Sequence, residues 1–371
     1  MREQRQIIER WQQGFGSILV TLTRVDGSSY RRPGARLMVC KDGTYEGSIS
    51  GGCLEADLLQ KAAWLIRDGS VVKRYSTLFD ETAEMPFGLG CGGVLDVLLE
   101  RVESPECQAL LGAMESTLSR RGHVIATWLP TADRVMMRAI FRADGEFVFA
   151  SGGLSSESIS QARMKCWRDD ESEIDGVFVE RLVPPQRLFV FGAGNDAKPL
   201  VTIACLLGWS VTVIDGRPHP ARRTRFAESN AEIASSPEVA IRRIDSRDAV
   251  VIMTHSYGQD RDFLTSVLPL RPRYLGLLGS RQRSSLLISE AAAKLDLSIS
   301  ECCAHICAPV GLDIGGEGPE AIALAIIAEA QACCLGKANE SRKLAADNVQ
   351  RYLATGDAHN YAQIQCALDS K

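Results

Sequence analysis

Two short stretches of the chain set a cysteine among glycines. Gly47 to Arg67 reads GSISGGCLEADLLQKAAWLIR, and Gly88 to Gly93 reads GLGCGG. In the first, Gly51 and Gly52 supply a flexible turn. Apolar residues then recur at Leu54, Leu58, Leu59, Ala62, Leu65 and Ile66, the spacing of one buried helical stripe. Cys53 therefore falls at or just before a first helical turn, where unpaired backbone N–H groups favour an anion such as a thiolate or a bound phosphate. Glu55 and Asp57 suit the helix dipole but oppose a nearby thiolate. In the second stretch, glycines on both sides of Cys91 allow close approach of the backbone to a ligand, or a bulge before the apolar strand Val94 to Glu100. Cysteine is also among the most buried residue types, so plain packing competes with chemistry at both places.

A third glycine-rich stretch points to phosphate binding. Arg187 to Phe191 reads as a strand and Gly192-Ala193-Gly194-Asn195-Asp196-Ala197 follows it. A helix runs to Leu207 before Gly208, and a second strand from Trp209 to Ile214 ends at Asp215. This is the dinucleotide-binding order of strand, G-x-G-x-x-A, helix, strand and acidic residue. Gly192 makes the turn, Gly194 lets a pyrophosphate approach, Ala197 permits close helix packing and Asp215 takes ribose hydroxyls. Arg217, Arg222 and Arg223 can attract a 2′-phosphate, which leaves NAD and NADP both open. Thr254-His255-Ser256 and Gly279-Ser280-Arg281 come just after strands, at the carboxyl edge where such folds bind ligands. His255 is a candidate general base there, against the commoner outcome of a capping or hydrogen-bonded histidine.

Two clusters carry weaker signals. Arg31, Arg32 and Arg36 crowd a loop and strand start, where guanidinium and backbone donors can hold a phosphate; a solvated charged face is the alternative. Cys302, Cys303, Cys307, Cys333 and Cys334, with His305, are dense enough to weigh a metal site. No C-x-x-C pair occurs among them, however, and packing cysteines are the preferred reading.

Composition bounds the rest. At 371 residues two domains are expected. With 42 basic and 46 acidic residues and a formal charge of -4, the chain has no general attraction for nucleic acid, so any anion site must be local. The opening MREQRQIIERWQQG reads as an amphipathic helix rather than a signal peptide, and no apolar run is long enough for a membrane span. A soluble, cytoplasmic protein whose twelve cysteines are reduced thiols is expected.

The elements that must position these groups follow from periodicity. After the first helix, strands are predicted at Ser17 to Val25 and Ala35 to Cys40, with a hairpin-like turn into Tyr45 to Gly47, an antiparallel unit; a further strand candidate, Val71 to Tyr75, follows the Cys53 helix. A helix at 105–121 precedes strands at Gly122 to Trp128, Val135 to Ile140 and Glu146 to Ala150. A helix within 152–173 and a strand at Val177 to Leu182 complete the first half. Pro184-Pro185 breaks the pattern and marks a domain boundary. Beyond it, strands at Ala249 to Met253, Tyr274 to Leu278 and around 305–308 alternate with helices near 260–268 and 281–295, the rhythm of a doubly wound sheet. Gly318 before Pro319 reads as an N-cap and first-turn proline for a helix to Leu335. The predicted class is α/β: an N-terminal α+β domain at 1–183, a Rossmann-like doubly wound parallel-sheet domain at 186–335 and a helical tail at 336–371.

Taken in order, GSSYRRPGARL, GSISGGCLE, FGLGCGGVLDVLLE, FGAGNDAKPL with VIDGRP, YLGLLGSRQR and APVGLDIGGEGPEAIALAI resemble the XdhC/CoxI family of molybdoenzyme maturation factors. Gly51, Gly52, Cys53 and Glu55 match the family's GGC-x-E motif; Gly90, Cys91, Gly92 and Gly93 match its later glycine and cysteine motif. One departure is Gly318, where the family pattern expects threonine. The resemblance implies a chaperone that binds molybdenum cofactor of the molybdopterin type, assists its sulfuration with a cysteine desulfurase and delivers it to an apo molybdenum hydroxylase such as xanthine dehydrogenase. It also implies a homodimer, with Cys53 and Cys91 as candidate contacts to molybdenum or its sulfur. Anionic pterin phosphate suits arginines and glycine-backed N–H groups. An NAD(P)-dependent oxidoreductase using the Rossmann domain is the alternative from another class, and a nucleotide-responsive scaffold is a third; fold alone does not choose among them.

Overall fold

The structure is a computed structural model that describes residues 2–76, 93–167, 176–215, 226 and 231–337. Residues Glu3–Pro184 form one compact unit and the described residues from Pro185 onward another. Among the described residues, no helix is long and apolar enough to cross a membrane.

In the first unit, α1 (Arg2–Gln12) leads into β1 (Gly16–Gly27), β2 (Arg36–Cys40) and β3 (Tyr45–Gly47). Then come α2 (Cys53–Leu65), β4 (Val71–Ser76), β5 (Gly93–Arg101) and α3 (Pro105–Leu118). The five strands form one antiparallel sheet in the order β3-β2-β1-β5-β4. Its two faces follow from the alternation of side chains along each strand. Ile18, Val20 and Leu22 of β1, with Leu95, Val97 and Leu99 of β5, meet Leu54, Leu58 and Ala62 of α2. Leu19 and Met38 face the other way and pack with Ile7 and Ile8 of α1 and Leu110, Leu111 and Met114 of α3. Both faces are buried, which is why β1 and β2 read as nearly continuous apolar runs.

A second antiparallel sheet, β8-β7-β6-β9, comprises β6 (His123–Trp128), β7 (Met137–Arg142), β8 (Phe147–Ala150) and β9 (Val177–Leu182), with α4 (Ser156–Trp167) between β8 and β9 in sequence. Ile125 and Ile140 of this sheet share the core of α3, and Ala162 of α4 packs on Val124, Ala126 and Val177. Two ion pairs tie the sheets together. Arg138 of β7 grips Glu100 of β5 with two bonds of 2.8 and 3.0 Å, and its remaining donors reach Thr127 Oγ1 and the Glu106 carbonyl. Arg36 of β2 pairs with Glu180 of β9. Burial disfavours the charged Arg138 side chain, but Glu100 outweighs this and raises its pKa.

The second unit has five parallel strands in the order β12-β11-β10-β13-β14, namely β10 (Arg187–Phe191), β11 (Ser210–Ile214), β12 (Glu232–Ala234), β13 (Ala249–Ile252) and β14 (Tyr274–Leu277). Helices α5 (Ala197–Leu206) and α10 (Pro319–Cys334) share one face. The other face carries α6 (Pro237–Arg242), α7 (Tyr257–Val267), α8 (Arg281–Leu295) and α9 (Ile299–Cys303). Helices on both faces of a parallel sheet are the doubly wound arrangement, and the strand order reverses between β10 and β13.

Some predicted details change. The strand expected around 305–308 is a single parallel bridge, Gly276 to Cys307. The short β12, α6 and α9 lie where no element was predicted. Cys302 on α9 is buried in one core, while Cys307, Cys333 and Cys334 pack on the other side of the sheet. Among the described residues, no group of three or more His, Cys, Asp or Glu side chains is placed to hold a metal. Gly318 has φ 99° and precedes Pro319 at the start of α10, a left-handed N-cap that glycine supplies without strain. The expected tail from 338 onward lies outside the described residues.

Removing half of a buried ion pair leaves a charge without its partner. Arg138→Met should lower the unfolding free energy in urea by about 3–5 kcal/mol, and adding Glu100→Leu to that variant should recover most of the loss. Equal stability of wild type and the single variant would show that Glu100 does not depend on Arg138.

Candidate functional site

The first glycine turn is built around a carboxylate. Glu55, in the first turn of α2, turns its side chain back into the loop that precedes the helix and is almost completely buried. Its Oε1 accepts from the amides of Ile49 and Ser50, both at 2.8 Å, from Gly51 N at 3.3 Å and from Ser48 Oγ at 3.1 Å. Its Oε2 accepts from Gly52 N at 2.9 Å and Ser50 Oγ at 2.6 Å. Burial alone would raise the pKa, but the Ser50 hydroxyl and the Ser50 and Ile49 amides overcome it and hold the group at about 2. Gly51 and Gly52 adopt φ 92° and 127°, the left-handed values that let successive amides converge on one point.

This geometry revises the expected role of the turn. The amides of 49–52 bind the chain's own Glu55, and Leu54 N is capped by Ser50 Oγ at 3.0 Å, so these donors are not offered to an outside phosphate. What the arrangement delivers is Cys53 as the first residue of α2, at the end of a rigid, surface-exposed Gly51-Gly52 turn. Asp57 is engaged elsewhere, accepting from Tyr75 at 3.1 Å and pairing with Lys61 at 2.7 Å.

The loop between β1 and β2 lies against this turn. A Cβ on Gly51 would sit 3.5 Å from the Tyr30 ring, and Tyr30 is 74% exposed. The same loop meets the start of β5: Gly27 pairs with Gly93, and a Cβ on Gly93 would fall 2.2 Å from the Ser28 carbonyl. Loop 28–30 thus touches both the Gly51 turn and the last glycine of the GCGG motif. Gly90, Cys91 and Gly92 lie outside the described residues. The three arginines divide. Arg31 grips Glu3 of α1, and Arg36 is buried in its pair with Glu180, whereas Arg32 is exposed on the loop beside Tyr30.

In the second unit, the predicted fingerprint stands at the carboxyl edge where the strand order reverses. Gly192 has φ 124°, and a Cβ there would meet the Met253 carbonyl at 2.5 Å. Ala197 is fully buried at the start of α5 and packs with Leu188 and Val190. Asp215 follows β11, its amide bonded to the Ala234 carbonyl at 3.2 Å. Arg217, Arg222 and Arg223 lie outside the described residues. Asp260 of α7 is buried and accepts from Thr254 N at 3.1 Å, Thr254 Oγ1 at 2.6 Å and Arg283 of α8 at 2.5 Å, fixing the loop after β13. Ser280 caps α8. His255, at φ 62°, places Nε2 2.9 Å from Asp196 Oδ2.

Sequence reading left out Tyr30, Ser48, Ser50, Asp260 and the partner of His255. Only the Glu55 contact had a local signal, since a glutamate three residues after an N-cap is the spacing of a capping box.

The fold and these motifs define a two-unit α/β protein with a cysteine-bearing glycine turn and a Rossmann unit. A profile described as the XdhC and CoxI family matches residues 10–76, and one described as the XdhC Rossmann domain matches residues 188–330. Together these span more than half of the chain, which belongs to the XdhC and CoxI family. A Bacillus subtilis (strain 168) protein, named as a probable subunit of xanthine dehydrogenase, is 28% identical over 317 residues, 84% of this chain and 92% of that protein. The Escherichia coli (strain K12) molybdenum cofactor insertion chaperone PaoD is 25% identical over 334 residues, 90% of this chain and 88% of that protein. A crystal structure described as a xanthine dehydrogenase from Bacillus halodurans superposes with a TM-score of 0.74 at 28% identity, covering 94% of this chain and 99% of that one.

The Glu55 carboxylate also sets a pH dependence. Its folded pKa of about 2 lies below the ordinary value of 4.5, so its stabilisation is complete above 4.5 and is lost as pH falls toward 2. The full effect is on the order of 3 kcal/mol. Urea midpoints of wild type should therefore drop across this window more steeply than those of Glu55→Gln, which lacks the titrating group; parallel profiles would refute the assignment.

Proposed function

We propose that this protein is a molybdenum-cofactor chaperone, which holds the pterin cofactor as cargo at the Gly51-Gly52-Cys53 turn and passes it to an apo molybdenum hydroxylase of the xanthine dehydrogenase kind. The observation that carries this reading is the placement, at one end of the first sheet, of a Glu55-braced turn leading to Cys53, an open Tyr30 ring and the glycine that ends the GCGG motif. The residues present suit the cargo. An aromatic face suits a flat pterin, the exposed Arg32 guanidinium suits its phosphate, and sulfur ligands suit molybdenum. The names borne by the B. subtilis and E. coli relatives support the same reading.

In this scheme Cys53 and Cys91 are the contacts to molybdenum or its sulfur, a cysteine desulfurase supplies that sulfur, and the chain acts as a homodimer. Glu55 acts through the turn as a positioning residue rather than as a ligand. The Rossmann unit carries the fingerprint of a nucleotide site, for which NAD(P) and the dinucleotide extension of the cofactor itself are the two candidate occupants. Its fingerprint is the feature that favours the second reading, an NAD(P)-dependent oxidoreductase, which requires nicotinamide turnover with a small substrate.

The test is retention of pterin by the purified full-length protein, read by fluorescence after oxidation, alongside activation of an apo hydroxylase. Wild type should retain pterin and activate the hydroxylase. Cys53→Ala combined with Cys91→Ala should lose most of both. Tyr30→Ala should weaken retention several-fold with little change in thermal stability, because the ring is largely exposed, and Tyr30→Phe should restore it. Undiminished retention and activation by the double cysteine variant would exclude the contact role, and a wild type without either property would exclude the chaperone.

A further inference from the structure

The second glycine of a dinucleotide fingerprint lacks a side chain so that a pyrophosphate can approach the backbone. Here that space is taken. A Cβ built on Gly194 would fall 2.3 Å from Asp196 Oδ1, so the Asp196 carboxylate folds back over the glycine. Asp196 is the N-cap residue of α5, yet its side chain makes no capping bond to the helix. Its other oxygen, Oδ2, lies 2.9 Å from His255 Nε2, reaching across from the loop after β10 to the loop after β13. Those two loops flank the point where the strand order reverses. His255 is fixed on its side because the neighbouring Thr254 is bonded through both N and Oγ1 to the buried Asp260.

A carboxylate at the amino end of α5 satisfies the helix dipole that would otherwise attract a ligand phosphate. It also repels that phosphate directly. Asp215 adds a second carboxylate at the same edge, and the imidazole nearest Gly194 is already engaged by Asp196. We infer that Asp196 is a specificity gate: held by His255, it stands in the phosphate position of the second unit and refuses free dinucleotides such as NAD(P). The inference rests on the reading of this unit as a nucleotide site, and it separates a chaperone from a dehydrogenase, which must admit its nicotinamide coenzyme. A fingerprint legible in sequence is thereby closed by a residue that occupies one of its own variable positions.

Calorimetric titration of the full-length protein with NADH, NADPH and ADP at physiological ionic strength tests the gate. Wild type should bind all three weakly. Asp196→Ala and the near-isosteric Asp196→Asn should each gain at least about tenfold for the dinucleotides, the effect of removing one like charge beside a phosphate. His255→Asn removes the imidazole that holds Asp196, with a residue that tolerates the left-handed backbone, and leaves the carboxylate's charge in place, so it should gain clearly less than the Asp196 variants. Thermal midpoints identify any variant that does not fold, and Asp196→Asn carries the test if Asp196→Ala fails. Wild-type affinity equal to that of the Asp196 variants would overturn the gate alone. A gain with His255→Asn matching that of Asp196→Ala would assign the block to the ring and overturn it as well. Absence of nucleotide binding in every variant would overturn both the gate and the nucleotide reading of this unit, while pterin retention by the first unit is measured separately.

Discussion

The constraint on which the candidate site depends is the saturation of one buried carboxylate. Glu55 can lie inside the protein only because four amides and two hydroxyls converge on it. That convergence requires a tight loop with left-handed backbone at Gly51 and Gly52. The loop in turn fixes where α2 begins, and hence that Cys53 opens the helix while Leu54 and Leu58 enter the core. Covalent adjacency alone would leave a Ser-Gly-Gly segment free to wander. The internal anion converts it into a fixed support.

Similar reasoning accounts for the pairing of two sheets in the first unit. Arg138 with Glu100 and Arg36 with Glu180 cross from one sheet to the other in surroundings where unpaired charge is costly. Apolar packing around α3 brings the sheets together, but it tolerates small slides. Bidentate geometry between Arg138 and Glu100 does not, because both bonds are lost together when the planar groups shift. The same commitment buries the Arg36 guanidinium against Glu180 even though it stands close in sequence to an exposed arginine.

Most of the fold was legible because its signals are local. Apolar, β-branched runs marked β1, β2 and β5; the helical stripe marked α2; the fingerprint marked β10, α5 and β11. The three-residue β12 and the five-residue α9 were not read, being too short for a period to emerge. At the site, the distinction among Arg31, Arg32 and Arg36 was invisible because partners at Glu3 and Glu180 are set by the tertiary fold, not by neighbours in the chain. Tyr30 was hidden for the same reason: only the folded loop sets it against Gly51. The His255 contact spans 59 residues and arises where two strand ends meet, so a fingerprint match could not reveal it.

Both glycine turns thus carry a carboxylate supplied by the chain, and the difference between them is one of satisfaction. Glu55 is 2% exposed and has six donors, so no ligand can replace its contacts without dismantling the loop. The Asp196 side chain is 18% exposed and shares one contact with a largely exposed histidine. A group held by a single surface bond exchanges for water at little cost, whereas one held by six buried bonds does not. Glu55 is therefore part of the scaffold, and Asp196 is a gate held by one contact. The glycine motif of the first unit works by being filled, and that of the second remains capable of opening.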